Sequence, residues 1–81
     1  MMVRVRLFAV ARQLAGQEQV EVSLPAGSTI GDLRAAMLTQ HPALAPLARA
    51  AMFAIGAEYA EDATKLAEGA DVACIPPVSG G

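Results

Sequence analysis

The stretch Gln19-Val20-Glu21-Val22-Ser23-Leu24-Pro25-Ala26-Gly27-Ser28-Thr29-Ile30-Gly31-Asp32-Leu33 changes periodicity in its middle, and that change decides the fold class. Val20, Val22 and Leu24 alternate with Gln19, Glu21 and Ser23, and a period of two puts the three apolar side chains on one face of a strand. Pro25-Ala26-Gly27 stops the strand, because proline has no amide hydrogen to give a sheet and glycine opens turn conformations. Thr29 and Asp32 stand three apart, the spacing of a capping box in which each side chain takes the backbone N–H of the other residue. Ile30, Leu33 and Met37 follow at helical spacing, so the sequence predicts a helix from about Ile30 to Gln40 with one apolar face. A one-faced strand that runs straight into a one-faced helix needs a shared core between sheet and helix.

Upstream, Val3, Val5 and Leu7 alternate with Arg4, Arg6 and Phe8, which predicts a first strand. A helical turn over Val10 to Leu14, closed by Gly16, joins it to the second. Downstream, His41-Pro42 ends the main helix, and Ala43 to Ala51 reads as a second short helical stretch with Pro46 in its first turn. Met52 to Ile55 reads as a short strand and Glu58 to Ala67 as an acidic, turn-like segment. Gly69 marks the bend into a last strand, Asp71 to Ile75, which Pro76-Pro77 terminates. The order is strand, strand, helix, strand, strand, too short for a doubly wound sheet. The sequence therefore predicts an α+β fold, a mixed sheet with one main helix across one face, in the ubiquitin-like β-grasp arrangement. Residues 1–75 form this domain and residues 76–81 an extended tail.

Eighty-one residues admit a single domain, and of the 54% of the chain that is apolar, eighteen residues are alanine, so the core is modest. Small secreted domains of this size lean on several disulfides; a lone cysteine, Cys74, forms none within the chain, which predicts a reducing, cytoplasmic setting. A net charge of -2 lacks the basic footprint of nucleic-acid or anionic-membrane binding, and neither partner is expected. The longest uncharged run, Ala35 to Ala48, contains Gln40, His41, Pro42 and Pro46, so no membrane span of about 20 apolar residues is expected. Arg4 and Arg6 interrupt the apolar N-terminal segment, which argues against a secretory signal.

Catalytic and metal constellations are missing: one His, one Cys, no phosphate loop and no GxSxG. His41 at a helix end reads as a solvated or capping residue, and Cys74 alternates onto the core face beside Val72 as an inert buried thiol. Glu58, Glu61, Asp62, Glu68 and Asp71 form an acidic segment that is either a solvated face or a surface steering a basic partner. What remains is Pro76-Pro77-Val78-Ser79-Gly80-Gly81. Two prolines favour an extended exit from the sheet, Val78 can anchor in a groove, and Gly80 and Gly81 can thread a channel that rejects any bulkier residue. The reachable chemical group is the carboxylate of Gly81. Ionised, it is a poor electrophile that another protein must activate; adenylation by ATP and opening of the mixed anhydride by a sulfide or persulfide would leave a nucleophilic thiocarboxylate. Alternation also puts Phe8 and Ile75 on the outer sheet surface, near the C-terminal ends of strands that are parallel neighbours in a β-grasp. They form a docking patch, unless the register of the first strand slips by one residue and Phe8 belongs to the core.

Val5-Arg6-Leu7-Phe8-Ala9 with Arg12 and Gly16, Leu24-Pro25-Ala26-Gly27-Ser28-Thr29-Ile30 with Leu33, and above all Ile75-Pro76-Pro77-Val78-Ser79-Gly80-Gly81 resemble the small-subunit family of molybdopterin synthase, sulfur carriers of the ubiquitin-like superfamily. The resemblance spans the chain and departs from the family at Gly56, commonly asparagine, and at Ala70, where Gly-Asp is usual. It implies that an activating enzyme, using ATP, adenylates Gly81, and that a sulfur donor protein converts it to a thiocarboxylate. Pro77, Val78, Ser79, Gly80 and Gly81 would then insert into a large subunit, which holds the catalytic groups, and donate sulfur to a cyclic pyranopterin in molybdenum cofactor synthesis. The family works as a heterotetramer. The resemblance adds Tyr59 to Phe8 and Ile75 as a docking contact, and implies no cofactor or metal on this chain. A carrier for thiazole or another sulfurated metabolite, a modifier conjugated to lysines through Gly81, and a plain interaction module stand as alternatives.

Overall fold

Alternation along the chain fixes which side chains the sheet buries. The computed structural model describes residues 1–77. In β1 (Met2–Leu7), Val3, Val5 and Leu7 are buried while Met2, Arg4 and Arg6 are exposed; in β2 (Gln19–Ser23), Val20 and Val22 are buried. Between them α1 (Val10–Ala15) ends on Gly16 in the left-handed conformation. The main helix, α2 (Ile30–Gln40), starts at the predicted capping box. Thr29 N–H donates to Asp32 Oδ2 at 2.9 Å, and Asp32 N–H donates to Thr29 Oγ1 at 3.2 Å. Its apolar stripe Ile30, Leu33 and Met37 is fully buried in one core with Val3, Val5, Val22, Phe53, Val72 and Cys74.

The segment after α2 departs from the expected second helical stretch. It divides into a 3-10 turn, Pro42–Leu44, and a single helical turn, α3 (Ala45–Ala48), ending before Ala51. Pro42 and Pro46 each open a short element, because a proline contributes no N–H to continue the preceding turn. β3 (Met52–Ile55) and β5 (Asp71–Ile75) lie where the sequence predicts them. The expected turn-like segment from Glu58 instead opens with a strand, β4 (Glu58–Ala60), paired antiparallel to β3 with Ile55 opposite Glu58. Gly56 turns the chain at φ 63°, a left-handed conformation that glycine and asparagine tolerate best. The family's asparagine and this chain's glycine thus meet the same backbone demand. Ala70 has no positive φ, so that departure carries no strain.

The strand order is β2-β1-β5-β3-β4. β1 and β5 are parallel, with Leu7 opposite Cys74, and the other pairs are antiparallel. This is the mixed sheet of the β-grasp, one strand larger than the sequence reading. β5 occupies the middle, so the chain leaves the sheet at its centre through Pro76 and Pro77.

Two local features hold the layers together. Arg34 of α2 donates from Nη1 to the carbonyls of Ala48 at 2.7 Å and Ala51 at 2.6 Å, and from Nη2 to Asp62 Oδ1 at 2.8 Å. Its guanidinium lies 5.0 Å from the centroid of the Phe53 ring. Gly31 N–H donates to the Asp62 carbonyl at 2.9 Å, and a Cβ at Gly31 would stand 3.3 Å from that oxygen, so a side chain at residue 31 would push the loop after β4 outward by a few tenths of an ångström. Ala9, between β1 and α1, sits at φ 53° and ψ -129°, which is strained for any residue with a Cβ.

Candidate functional site

The outer face of the sheet carries the other half of each alternation. Register places Arg6, Ala73, Ala54 and Tyr59 in one cross-strand row. Ile75 pairs with Met52, and Phe8, one residue beyond the Leu7–Cys74 pair, comes across from Ile75. Ala54 and Ala73 are short, so the sheet sinks between the longer side chains. The result is an open depression of about 450 Å³ walled by Phe8, Tyr59, Ile75 and Arg6, floored by Ala54 and Ala73 and closed at one end by the Gly56-Ala57 turn. Phe8 and Tyr59 are exposed and Ile75 half-buried.

The three residues expected from alternation and resemblance therefore line one hollow. Phe8 is outside the core, which removes the reading in which the first strand slips by one residue. Met52, 52% exposed beside Ile75, and the two floor alanines belong to the same surface and escaped the sequence reading. Alternation in β3, with Phe53 inward and Met52 and Ala54 outward, carries the signal. Arg6 bounds the hollow, its guanidinium 5.9 Å from the Phe8 ring centroid and 3.0 Å from Asp71 Oδ2. An apolar basin edged by an ion pair suits an apolar anchor from a partner, with polar groups at the rim.

Pro76 is buried and Pro77 exposed, directly beyond Ile75, so the chain departs beside the hollow. Val78, Ser79, Gly80 and Gly81 lie outside the described residues. Cys74 is buried, and burial pushes its thiol up from 9.0 to about 11, with the nearby Arg34 guanidinium pulling the other way. A thiol held protonated at neutral pH is a poor nucleophile. His41 ends α2, and its Nε2 lies 2.9 Å from the Glu21 carbonyl oxygen; a carbonyl only accepts, so this nitrogen carries the hydrogen. In the acidic segment, Asp62 and Asp71 are taken by Arg34 and Arg6, and Glu58, Glu61 and Glu68 are exposed. Among the described residues, no three His, Cys, Asp or Glu side chains gather where they could hold a metal ion, and no helix is long and apolar enough to cross a membrane.

A mixed five-stranded sheet crossed by one main helix, with an apolar hollow beside the exit of the central strand, defines a ubiquitin-like β-grasp protein. The chain belongs to the ThiS family, whose model matches residues 5–81. It is 37% identical over 83 residues to the molybdopterin synthase sulfur carrier subunit of Chlamydomonas reinhardtii, with both chains covered in full. Among solved structures it is similar to the small archaeal modifier protein 1 of H. volcanii, at a TM-score of 0.81 and 28% identity over 95% of this chain and 98% of that one. It is also similar to a chain of the complex of subunits 1 and 2 of molybdopterin-converting factor from Helicobacter pylori, at a TM-score of 0.67 and 26% identity, each chain fully covered.

Proposed function

We propose that this chain is the sulfur carrier subunit of a molybdopterin synthase. In this reading an activating enzyme adenylates the Gly81 carboxylate with ATP. Sulfide-level sulfur from a donor protein then displaces AMP, and the resulting thiocarboxylate attacks a cyclic pyranopterin in a large subunit's active site. The chain is not catalytic alone. It is consumed and recharged, in the cytoplasm, and binds no cofactor of its own. Phe8, Tyr59 and Ile75 dock the partner, while Pro77, Val78, Ser79 and Gly80 feed Gly81 inward.

The observation that carries this reading is the union of a full-length sulfur-carrier relative with an apolar hollow set directly beside the Pro76-Pro77 exit. A tail donates its terminal atom only if the globule is held at a fixed distance from the acceptor, and a docking surface at the tail's root does that. Incubation with ATP, an activating enzyme and a sulfur donor is expected to exchange one oxygen for sulfur at the C-terminus, read by mass spectrometry. Sulfur on Cys74 instead overturns the reading, as does sulfur transfer that survives deletion of Gly81. The likeness to an archaeal modifier protein favours one second reading, conjugation to lysines, and a ladder of covalent adducts through Gly81 in cells would select it.

A further inference from the structure

β2 is an edge strand, and an edge strand presents unpaired N–H and C=O groups to any chain that can pair with them. Which groups face outward follows from the ladder with β1. Leu24 N–H donates to the Met1 carbonyl and Leu7 N–H to the Glu18 carbonyl, both at 2.8 Å, so the even-numbered residues of β2 bond inward and Gln19, Glu21 and Ser23 direct their backbone groups to the free side. Three of these six outward groups are occupied, and by side chains. Gln40, the last residue of α2, accepts from Ser23 N–H through Oε1 at 3.0 Å and donates to the Ser23 carbonyl through Nε2 at 2.9 Å, as the opposite residue of a sixth strand would with its own C=O and N–H. His41 donates from Nε2 to the Glu21 carbonyl at 2.9 Å.

We propose that Gln40 and His41 form a side-chain lock on the free edge of β2, and that the surface they close is a strand-pairing site for β2 of a second copy of this chain. The second copy is the occupant because the freed edge is self-complementary. An antiparallel two-fold pairing centred on Glu21 sets Gln19 opposite Ser23 twice and satisfies all the outward backbone groups of both strands, and Arg4, opposite Glu21 in β1, offsets the two Glu21 carboxylates that then face each other. The other edge, β4, spans only three residues and is blunted by its shortness, so β2 is the edge that needs a lock.

Three measurements on the full chain test this. In the parent, the Ser23 amide is expected to exchange with solvent at least about tenfold more slowly than the equally outward Gln19 amide, since the first is bonded and the second is not; equal rates overturn the lock. Gln40→Ala with His41→Ala is expected to convert a monomer into a concentration-dependent dimer by light scattering, with the Gln19, Glu21 and Ser23 amides newly protected. A folded double variant that stays monomeric at high concentration overturns the pairing site. Adding Glu21→Pro, which removes one outward N–H at a position where an edge strand accepts proline, is expected to restore the monomer; a dimer that persists lies elsewhere and overturns the assignment. Should the double variant fail to fold, Gln40→Asn, too short to span both Ser23 groups, takes its place under the same criteria.

Discussion

Phe53 and Ala54 are neighbours in β3, yet one ring is sealed against Arg34 and the core while the other side chain floors an open hollow. The same contrast runs through β5, where Cys74 faces inward and Ile75 outward. Inner residues are large where the helix layer leaves room for them, because every methylene there removes apolar area from water. The centre of the outer face is kept small, with alanines at 54 and 73 ringed by large apolar side chains, an arrangement that leaves apolar area unburied in the free protein. One face is finished on folding, and the other is completed by a partner in the reading proposed above.

The inner face is the place for the largest effect. Phe53→Ala is expected to cost about 3–5 kcal/mol of stability in chemical denaturation, through lost burial and the cavity left behind; a loss under about 1 kcal/mol would put Phe53 outside the core and erase the distinction. Arg34→Ala comes next, at about 2–3 kcal/mol, since it strands the part-buried Ala48 and Ala51 carbonyls, while the exposed Asp62 carboxylate returns to water at little cost. Arg34→Lys should recover only part of this, because one ammonium cannot replace a fork reaching both sides. On the outer face, Phe8→Arg is expected to move stability by no more than about 0.5 kcal/mol while weakening large-subunit binding, measured by calorimetry, by about 2 kcal/mol. Unfolding of that variant would make the two faces alike.

Cys74 sharpens the comparison through pH. Its thiol keeps its proton in the folded chain, at about 11 against 9.0, so its contribution to stability is complete below pH 9 and is lost as the pH rises through 11. Denaturation midpoints should fall more steeply over that window in the parent than in Cys74→Ala. Equal slopes would mean that the thiol is solvated. The smallest effect belongs to the connection between β1 and α1: Ala9→Gly relieves a positive φ and should stabilise the chain by about 0.5–1 kcal/mol, read as a rise in melting temperature.

The elements with a strict period were legible in the sequence. β1, β2 and α2 each bury every second or every third-to-fourth side chain, whereas in β3 and β5 the outward alanines 54 and 73 are buried as well, so there the inner face is marked by the larger side chains and not by burial alone. β4 was not legible, because a three-residue edge strand whose residues are exposed or half-buried imposes no period; its only trace is the Gly56 turn that precedes it. Arg34 reads as an ordinary solvated helix cation, since its partners are carbonyls positioned by a turn fourteen to seventeen residues away. Phe8 and Ile75 were found as outward residues, but the hollow between them depends on Ala54 and Ala73 being small and adjacent in register, a fact about pairing. Gln40 and His41 gave no signal of their role at the β2 edge, because the groups they satisfy belong to the backbone.

The central place of β5 has a mechanical consequence. The chain enters the sheet through β1 and leaves through its parallel neighbour, so its two ends point in opposite directions along adjacent strands. Traction on the tail runs along β5, across the hydrogen bonds to β1 on one side and β3 on the other. Those bonds are loaded together in shear, where a hairpin at the rim would open one rung at a time. A globule towed by its last residues thus resists at its strongest seam, and the tail can be drawn out of a narrow channel without unravelling what it is attached to.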